Sequence, residues 1–347
     1  MRRLDLTLKV LWSADPIPAI GASLRFNGEL VWRAATGVAE RTTGAALQPG
    51  ARVPIYSLTK TFTAVIVLQL AREGTFTLRD SPRRWFPDLP VPETLTIAHL
   101  LRHTSGLKDY FGSHPAYRDA VLHRPTTPWT HQEFLDEILP RGLIFEPGNG
   151  WSYSNIGYLI LLQIIERTTG CTFAQNVSRR IAVPLALEDT FVAEELADWQ
   201  TCSPGYGSEV SPTGEPIDVR SCYHPGWCAP GVAVSTAQDT TLFYDLLLEG
   251  KILHPEDLAD MCDLVPVPGN HPPAVRPSCG MGLLGDPGSP FGPTFGHGGG
   301  GPGYSIWAST LKRPTGRLTI MVFCTASGYR SEPMQQALLQ TACDIFG

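Results

Sequence analysis

The first regular pattern along the chain is an alternation. Ile20, Ala22, Leu24 and Phe26 are separated by small or polar residues, Asn27-Gly28 follows, and Leu30 to Ala34 resumes the apolar run. A period of two on either side of Asn-Gly predicts a β-hairpin over residues 17–40, because the tight turn needs residues that accept positive φ. From about Ser57 to Glu73 the period changes. Phe62-Thr-Ala-Val-Ile-Val-Leu-Gln-Leu-Ala71 is apolar nearly all round, which predicts a helix in the interior rather than on the surface, ended by Gly74.

Residues 75–200 read as mainly helical, broken by prolines. Helical patterns run from Ile97 to Arg102, Thr130 to Leu139, Gly157 to Thr169 and Phe173 to Ile181, the last stopping near Pro184. Two stretches rich in Pro, Gly and Ser, 203–231 and 264–303, are expected to be long loops, and loops of that length in a compact protein are usually functional. Between them, Thr236 to Glu249 predicts a helix closed by Gly250. Strands are expected at about Tyr304 to Thr310 and Arg317 to Thr325, turning at Pro314-Thr315-Gly316, with a last helix from Pro333 to Phe346.

A hairpin and helix at the front, with strands and a helix at the back, suggest one sheet built by both ends. The expected fold class is α/β (α+β): residues 1–70 plus 226–347 form an α/β domain, and 71–225 form a mainly helical insertion.

Composition narrows the functions. With 347 residues, 43% hydrophobic and 17% charged, the chain can bury a large core and lies outside the disordered range. A net charge of -6 gives no basic footprint for nucleic acid. No apolar run is long enough to span a bilayer: the longest, Ala64 to Leu70, carries Gln69 and is bounded by Lys60 and Arg72. Met1-Arg2-Arg3 begins like a secretion signal, but Asp5 and Lys9 interrupt the apolar segment such a signal needs, so a cytoplasmic protein is expected. The eight cysteines include no C-x-x-C pair. Cys222-x-His224 with Cys228 is the nearest approach to a metal set, and ordinary reduced thiols, Cys202 included, are expected instead, with no metal and no cofactor.

The chemistry starts at Ser57-Leu58-Thr59-Lys60. Residues three apart on a helix share a face, so the amine can reach the hydroxyl. The helix N-terminus adds N–H groups that favour developing negative charge. A lysine at the buried end of an apolar helix loses its preference for the ammonium form and can act as a base near neutral pH, which arginine cannot do. S-x-x-K recurs at Ser105 to Lys108 and Ser309 to Lys312. Gly106 makes the first a turn, and the second falls at a strand end, where alternating side chains point to opposite faces. A plain N-cap serine remains the alternative for Ser57.

Two further elements follow. Glu146-Pro-Gly-Asn-Gly-Trp-Ser-Tyr153-Ser154-Asn155 is a turn running into a helix. Its tyrosine can shuttle a proton beside a cationic lysine, and its Asn155 can donate to a substrate carbonyl or to Lys60. A buried aromatic with a capping asparagine is the plainer reading. Phe295-Gly-His297-Gly298-Gly299-Gly300-Gly-Pro-Gly-Tyr304 opens a strand whose glycines let a substrate lie against the backbone. Alone, it would equally be a flexible loop.

Ser57-x-x-Lys60, Tyr153-x-Asn155 and His297-Gly-Gly, in that order, resemble the serine β-lactamase and penicillin-binding-protein superfamily, nearest its class C β-lactamase and family VIII esterase branch. The flanking segments Ile55 to Thr63, Leu100 to Leu107, Trp151 to Tyr158 and Pro230 to Asp239 are similar as well. The resemblance implies a β-lactamase/transpeptidase-like fold, an antiparallel sheet flanked by helices with an inserted helical domain.

It also implies roles. Ser57 is the acylated nucleophile, Lys60 its base or hydrogen-bond partner, Tyr153 the general base and acid, and Asn155 a substrate-orienting group. The N–H groups of Ser57 and Gly300 form the oxyanion hole, with His297 and Gly299 beside it. Leu100 to Leu107 is a structural loop, which removes His103 and Ser105 from the catalytic candidates.

His297 departs from the K-T-G of β-lactamases and many DD-peptidases. A histidine is mostly neutral at pH 7 and binds a substrate carboxylate less well. The expected activity is therefore hydrolysis of small-molecule esters or amides through an acyl-enzyme. Acyl transfer to an alcohol or amine on the same machinery is the near alternative, and β-lactam or D-Ala-D-Ala hydrolysis is a weaker one. A non-catalytic binding protein on the same fold is the weakest. G-x-S-x-G, G-x-x-x-x-G-K-[ST] and H-E-x-x-H are all missing from the sequence.

Overall fold

The computed structural model describes residues 1–111, 114–269, 271, 276–328 and 331–347. The predicted hairpin is present as strands β1 (Ala19–Phe26) and β2 (Glu29–Glu40). At its turn Asn27 and Gly28 take φ of 49° and 89°, the left-handed pair that matches strand twist. Strand β3 (Ala45–Ala46) extends this edge, and β4 (Val53–Pro54) leads toward Ser57. Three short strands follow in the middle of the chain, β5 (Phe191–Val192), β6 (Tyr206–Gly207) and β7 (Ile217–Asp218), and then β8 (Ala233–Ser235). The C-terminal third supplies β9 (Val265–Pro266), β10 (Ser278–Cys279), β11 (Leu284–Asp286), β12 (Thr294–Gly301), β13 (Tyr304–Arg313) and β14 (Gly316–Cys324).

The two ends meet in one antiparallel sheet of order β3-β2-β1-β14-β13-β12-β11-β10-β9. The seam is β1 against β14, running from Ile20↔Cys324 to Phe26↔Leu318. Both faces of these strands are covered, so their residues sort by parity. Ile20, Ala22 and Leu24 pack with Leu318, Ile320 and Val322 under helices α1 (Arg2–Ala14) and α11 (Ser331–Phe346). On the other face, Met321 and Phe323 join the main core with helices α2 (Thr59–Arg72) and α9 (Ala237–Leu248).

The remaining helices are α3 (Ile97–Leu101), α4 (Pro115–His123), α5 (His131–Ile138), α6 (Asn155–Thr169), α7 (Phe173–Val177), α8 (Leu196–Gln200) and α10 (Pro255–Met261). No helix among the described residues is long and apolar enough to cross a membrane.

Several expectations need correction. The first residues form α1, with Leu4 and Leu8 buried one turn apart on the sheet; a single i, i+4 pair carries this helix, too short a pattern to stand out in the sequence. The α2 helix starts at Thr59, and Ser57 sits in the preceding 3₁₀ turn Tyr56–Leu58. The helix expected from Phe173 to Ile181 ends at Val177 and continues as a π turn over Ser178–Ala182.

The stretch 264–303 is not one long loop, because β9 to β12 lie within it; its residues 270 and 272–275 lie outside the described residues. The glycine run is itself strand β12. Glycine lacks the side chain on which an alternation could be read, yet cross-strand pairs from Thr294↔Leu311 to Gly301↔Tyr304 hold it in register.

Candidate active site

Ser57 is placed from two sides. The short sheet β4-β8-β5 fixes the approach, and the Ile55 N–H donates to the Ala233 carbonyl at 2.8 Å. Tyr56 then turns sharply at φ 44°, a backbone conformation that costs a non-glycine residue free energy. Its buried hydroxyl compensates by donating to the Pro302 carbonyl at 2.6 Å.

One turn on, Lys60 is 2% exposed. Its Nζ donates to Ser57 Oγ at 3.0 Å and to Asn155 Oδ1 at 2.7 Å. Burial pulls the Lys60 amine down from 10.5 to about 8, opposed by the nearby charge of Asp109.

Asn155 opens α6, capped by the Ser154 hydroxyl, which accepts from the Gly157 N–H at 3.1 Å. The amide accepts from Lys60 instead of donating to it, contrary to expectation, and Asp109 is the reason. Asp109 Oδ2 takes the Asn155 Nδ2–H at 2.8 Å, and Oδ1 takes the Asn155 and Tyr110 backbone N–H groups at 3.2 and 2.9 Å. A carboxylate only accepts, so the amide nitrogen faces it and the oxygen faces the lysine. Burial raises Asp109 to about 6, against the pull of these hydrogen bonds and of Lys60. Sequence reasoning missed Asp109, since no spacing rule links it to a residue 46 positions away.

Tyr153 lies across the lysine, with Lys60 Nζ 5.0 Å from its ring centroid. Behind it is His103, its ring stacked on Tyr153 at a centroid distance of 4.3 Å. His103 also pins the backbone on either side of Tyr153: its carbonyl accepts from the Ser152 N–H at 2.9 Å and its Nδ1 from the Ser154 N–H at 3.1 Å. Burial holds His103 well below the usual histidine range. It supports the tyrosine as a neutral ring. Ser105 is buried beside Gly106, which has φ +74°, in the turn expected there.

Strand β12 closes the site. His297 is buried, and its Nδ1 lies 2.5 Å from the Gly298 carbonyl. A carbonyl accepts only, so Nδ1 carries the proton. Burial first and Lys60 second push this histidine down to about 3, so it presents a neutral ring to the cavity. Gly298, Gly300 and Gly301 line the cavity with it.

Gly299 does not. A Cβ there would stand 2.4 Å from the Ile55 carbonyl oxygen, so glycine lets β12 pack directly on the Ser57 turn. Gly299→Ala is expected to part the two segments by roughly an ångström and lower kcat/KM by about 10²-fold. Steady-state kinetics on an activated ester would check this, and unchanged kinetics would refute it.

β11 pairs with β12 only over Thr294–Gly296. From His297 onward that edge has no strand neighbour among the described residues. The cavity between this edge and Ser57 is about 350 Å³, walled largely by Tyr110, Tyr117, Tyr223, Trp227 and Trp307.

The cysteines are free thiols. Cys222 Sγ faces the Asp218 and Val219 carbonyls, His224 Nδ1 accepts from the Gly226 N–H, and Cys228 faces the Tyr223 hydroxyl. Among the described residues, no group of His, Cys, Asp and Glu is arranged to hold a metal ion.

Comparison with known proteins agrees with this architecture. The model of the Beta-lactamase family matches residues 7–341. Penicillin-binding protein 4* of Bacillus subtilis is 35% identical over 168 residues, 48% of this chain and 36% of that protein. Esterase EstB of Burkholderia gladioli is 32% identical over 183 residues, 49% of this chain and 46% of that protein. The matches thus span about a third to a half of these relatives' lengths. Among solved structures, a D-stereospecific amidohydrolase from Streptomyces sp. superposes with a TM-score of 0.82 at 28% identity, covering 97% of both chains.

Proposed function

The chain belongs to the Beta-lactamase family, and from that premise we propose that it hydrolyses neutral esters or amides through an acyl-enzyme on Ser57. The observation that carries this reading is the hydrogen-bonded line Ser57–Lys60–Asn155–Asp109, with Tyr153 across it, inside one apolar cavity.

As a free amine, Lys60 takes the Ser57 proton while Oγ attacks the substrate carbonyl. The oxyanion settles against the N–H groups of Ser57 and Gly300. Tyr153 delivers a proton to the departing alcohol or amine, and the C–O or C–N bond breaks to leave the acyl-serine. Water then reverses the sequence and releases the acid. Asn155 and Asp109 hold Lys60 in place from behind. At position 297 a neutral ring stands where a fixed cation would help hold a substrate carboxylate, which supports neutral esters and amides over β-lactams.

The same geometry sets the pH response. The value of kcat/KM for a neutral ester should rise with pH through an apparent pKa near 8, where Lys60 loses its proton. In Asp109→Asn the charge that favours the ammonium is gone, so the rising limb should move to lower pH. A limb that stays in place, or moves upward, would rule out the role given to Asp109.

The direct test is incubation with p-nitrophenyl esters, with mass spectrometry for an acyl adduct on Ser57. Turnover that rises with added alcohols or amines, with their acyl products appearing, would point to acyl transfer. No adduct and no turnover with any activated ester would overturn the enzymatic reading.

A further inference from the structure

The cavity at Ser57 adjoins a second hollow. Phe111, Tyr117 and Gly301 line both, and the second, about 560 Å³, runs between α4 and Pro302. At Gly301 a Cβ would stand 2.5 Å from the Tyr56 ring, so the strand packs directly on that ring and borders both hollows with main chain. Phe111, Pro115, Val121 and Leu122 give the second hollow its apolar lining, and the charged side chains of Arg118, Asp119 and Glu209 also border it. Phe111 and Leu122 are 42% and 37% exposed, in a chain that buries most of its large apolar side chains. Leu122 lies two turns along α4 from Pro115, on the same face. Two acidic side chains at the rim already have partners, Glu209 with the Ser327 hydroxyl and Asp119 with His123.

We propose that this groove receives an extended alkyl arm of the substrate, so the enzyme prefers esters or amides carrying a medium-length or longer chain on one side of the scissile bond. The inference rests on the serine hydrolase reading above, because it is the three lining residues shared with the Ser57 cavity that select a substrate arm as the occupant.

The test uses binding, so that it does not depend on turnover. In Ser57→Ala, titration calorimetry compares octanoyl p-nitroanilide with its acetyl counterpart, and N-octyl p-nitrobenzamide with its N-methyl counterpart. The two pairs place the alkyl arm on opposite sides of the amide. Burying roughly half of the added methylenes is worth about a hundredfold in affinity, expected in at least one pair. Adding Leu122→Asp should remove most of that gain. Val183→Asp, at an exposed position outside the groove, should not.

Long and short ligands binding within about threefold of each other in both pairs, or a preference that survives Leu122→Asp, would overturn the groove. A preserved binding preference in a protein that turns over no ester would support the groove and count against the hydrolase reading.

Discussion

Ser57→Ala is expected to lower kcat/KM on activated esters by about 10⁴-fold or more, the scale seen when a serine nucleophile is removed from a coupled catalytic set. Ser57 Oγ is the hydroxyl that Lys60 Nζ contacts in the cavity, and the turn that holds it is fixed by backbone contacts that alanine keeps. The variant should therefore fold normally and bind substrate while forming no adduct. Kinetics with p-nitrophenyl esters and intact-mass spectra read both effects. Labelling that persists in Ser57→Ala would remove the nucleophile assignment.

The second large effect is expected for Lys60→Met. Methionine approximates the volume of the lysine stem in a packed helix, but it offers no amine to take the serine proton. Loss of a positioned base costs about 10²–10⁴ in rate, and Lys60→Arg should fare no better because guanidinium does not deprotonate. A stability signature separates this from simple misfolding. Lys60 has a folded pKa of about 8 against an ordinary 10.5. Below about 8 both states bind the proton, and the full cost of a buried ammonium is present. Between 8 and 10.5 the unfolded chain binds more protons than the folded one, so folding gains stability as pH rises. The Tm of the parent should thus climb relative to Lys60→Met over that window. A constant difference from pH 7 to 10 would mean that the amine is not depressed.

Much of this was legible in the sequence, and for identifiable reasons. The Asn27-Gly28 hairpin and the central helix follow from periodicity and turn chemistry, and the sharing of one sheet by the two ends follows from the order of the elements. Helical context favours Ser57 among three copies of the motif; Ser57 in fact lies in the 3₁₀ turn just before α2, Ser105 in a turn and Ser309 in a strand. Local pattern failed where partners distant in sequence decide. Strand β12 has no alternation to read, because its register comes from β13. The orientation of Asn155 depends on Asp109, and the support of Tyr153 on His103, contacts that span 46 and about 50 residues. His103 was set aside as structural. It stacks directly on Tyr153 as a buried ring held well below the usual histidine range.

The glycines of β12 have a consequence for how this site can change. At Gly298, Gly300 and Gly301 the cavity is bordered by main chain, and the space above Gly298, Gly299 and Gly301 is already taken by Trp307, the Ile55 carbonyl and Tyr56. At these three positions a side chain cannot be added without displacing Trp307, the Ile55 carbonyl or Tyr56. The partly exposed Phe111 and Leu122 carry no such constraint from packing against the Ser57 turn. A mutational library aimed there should yield altered selectivity at far lower loss of function than one aimed at the strand.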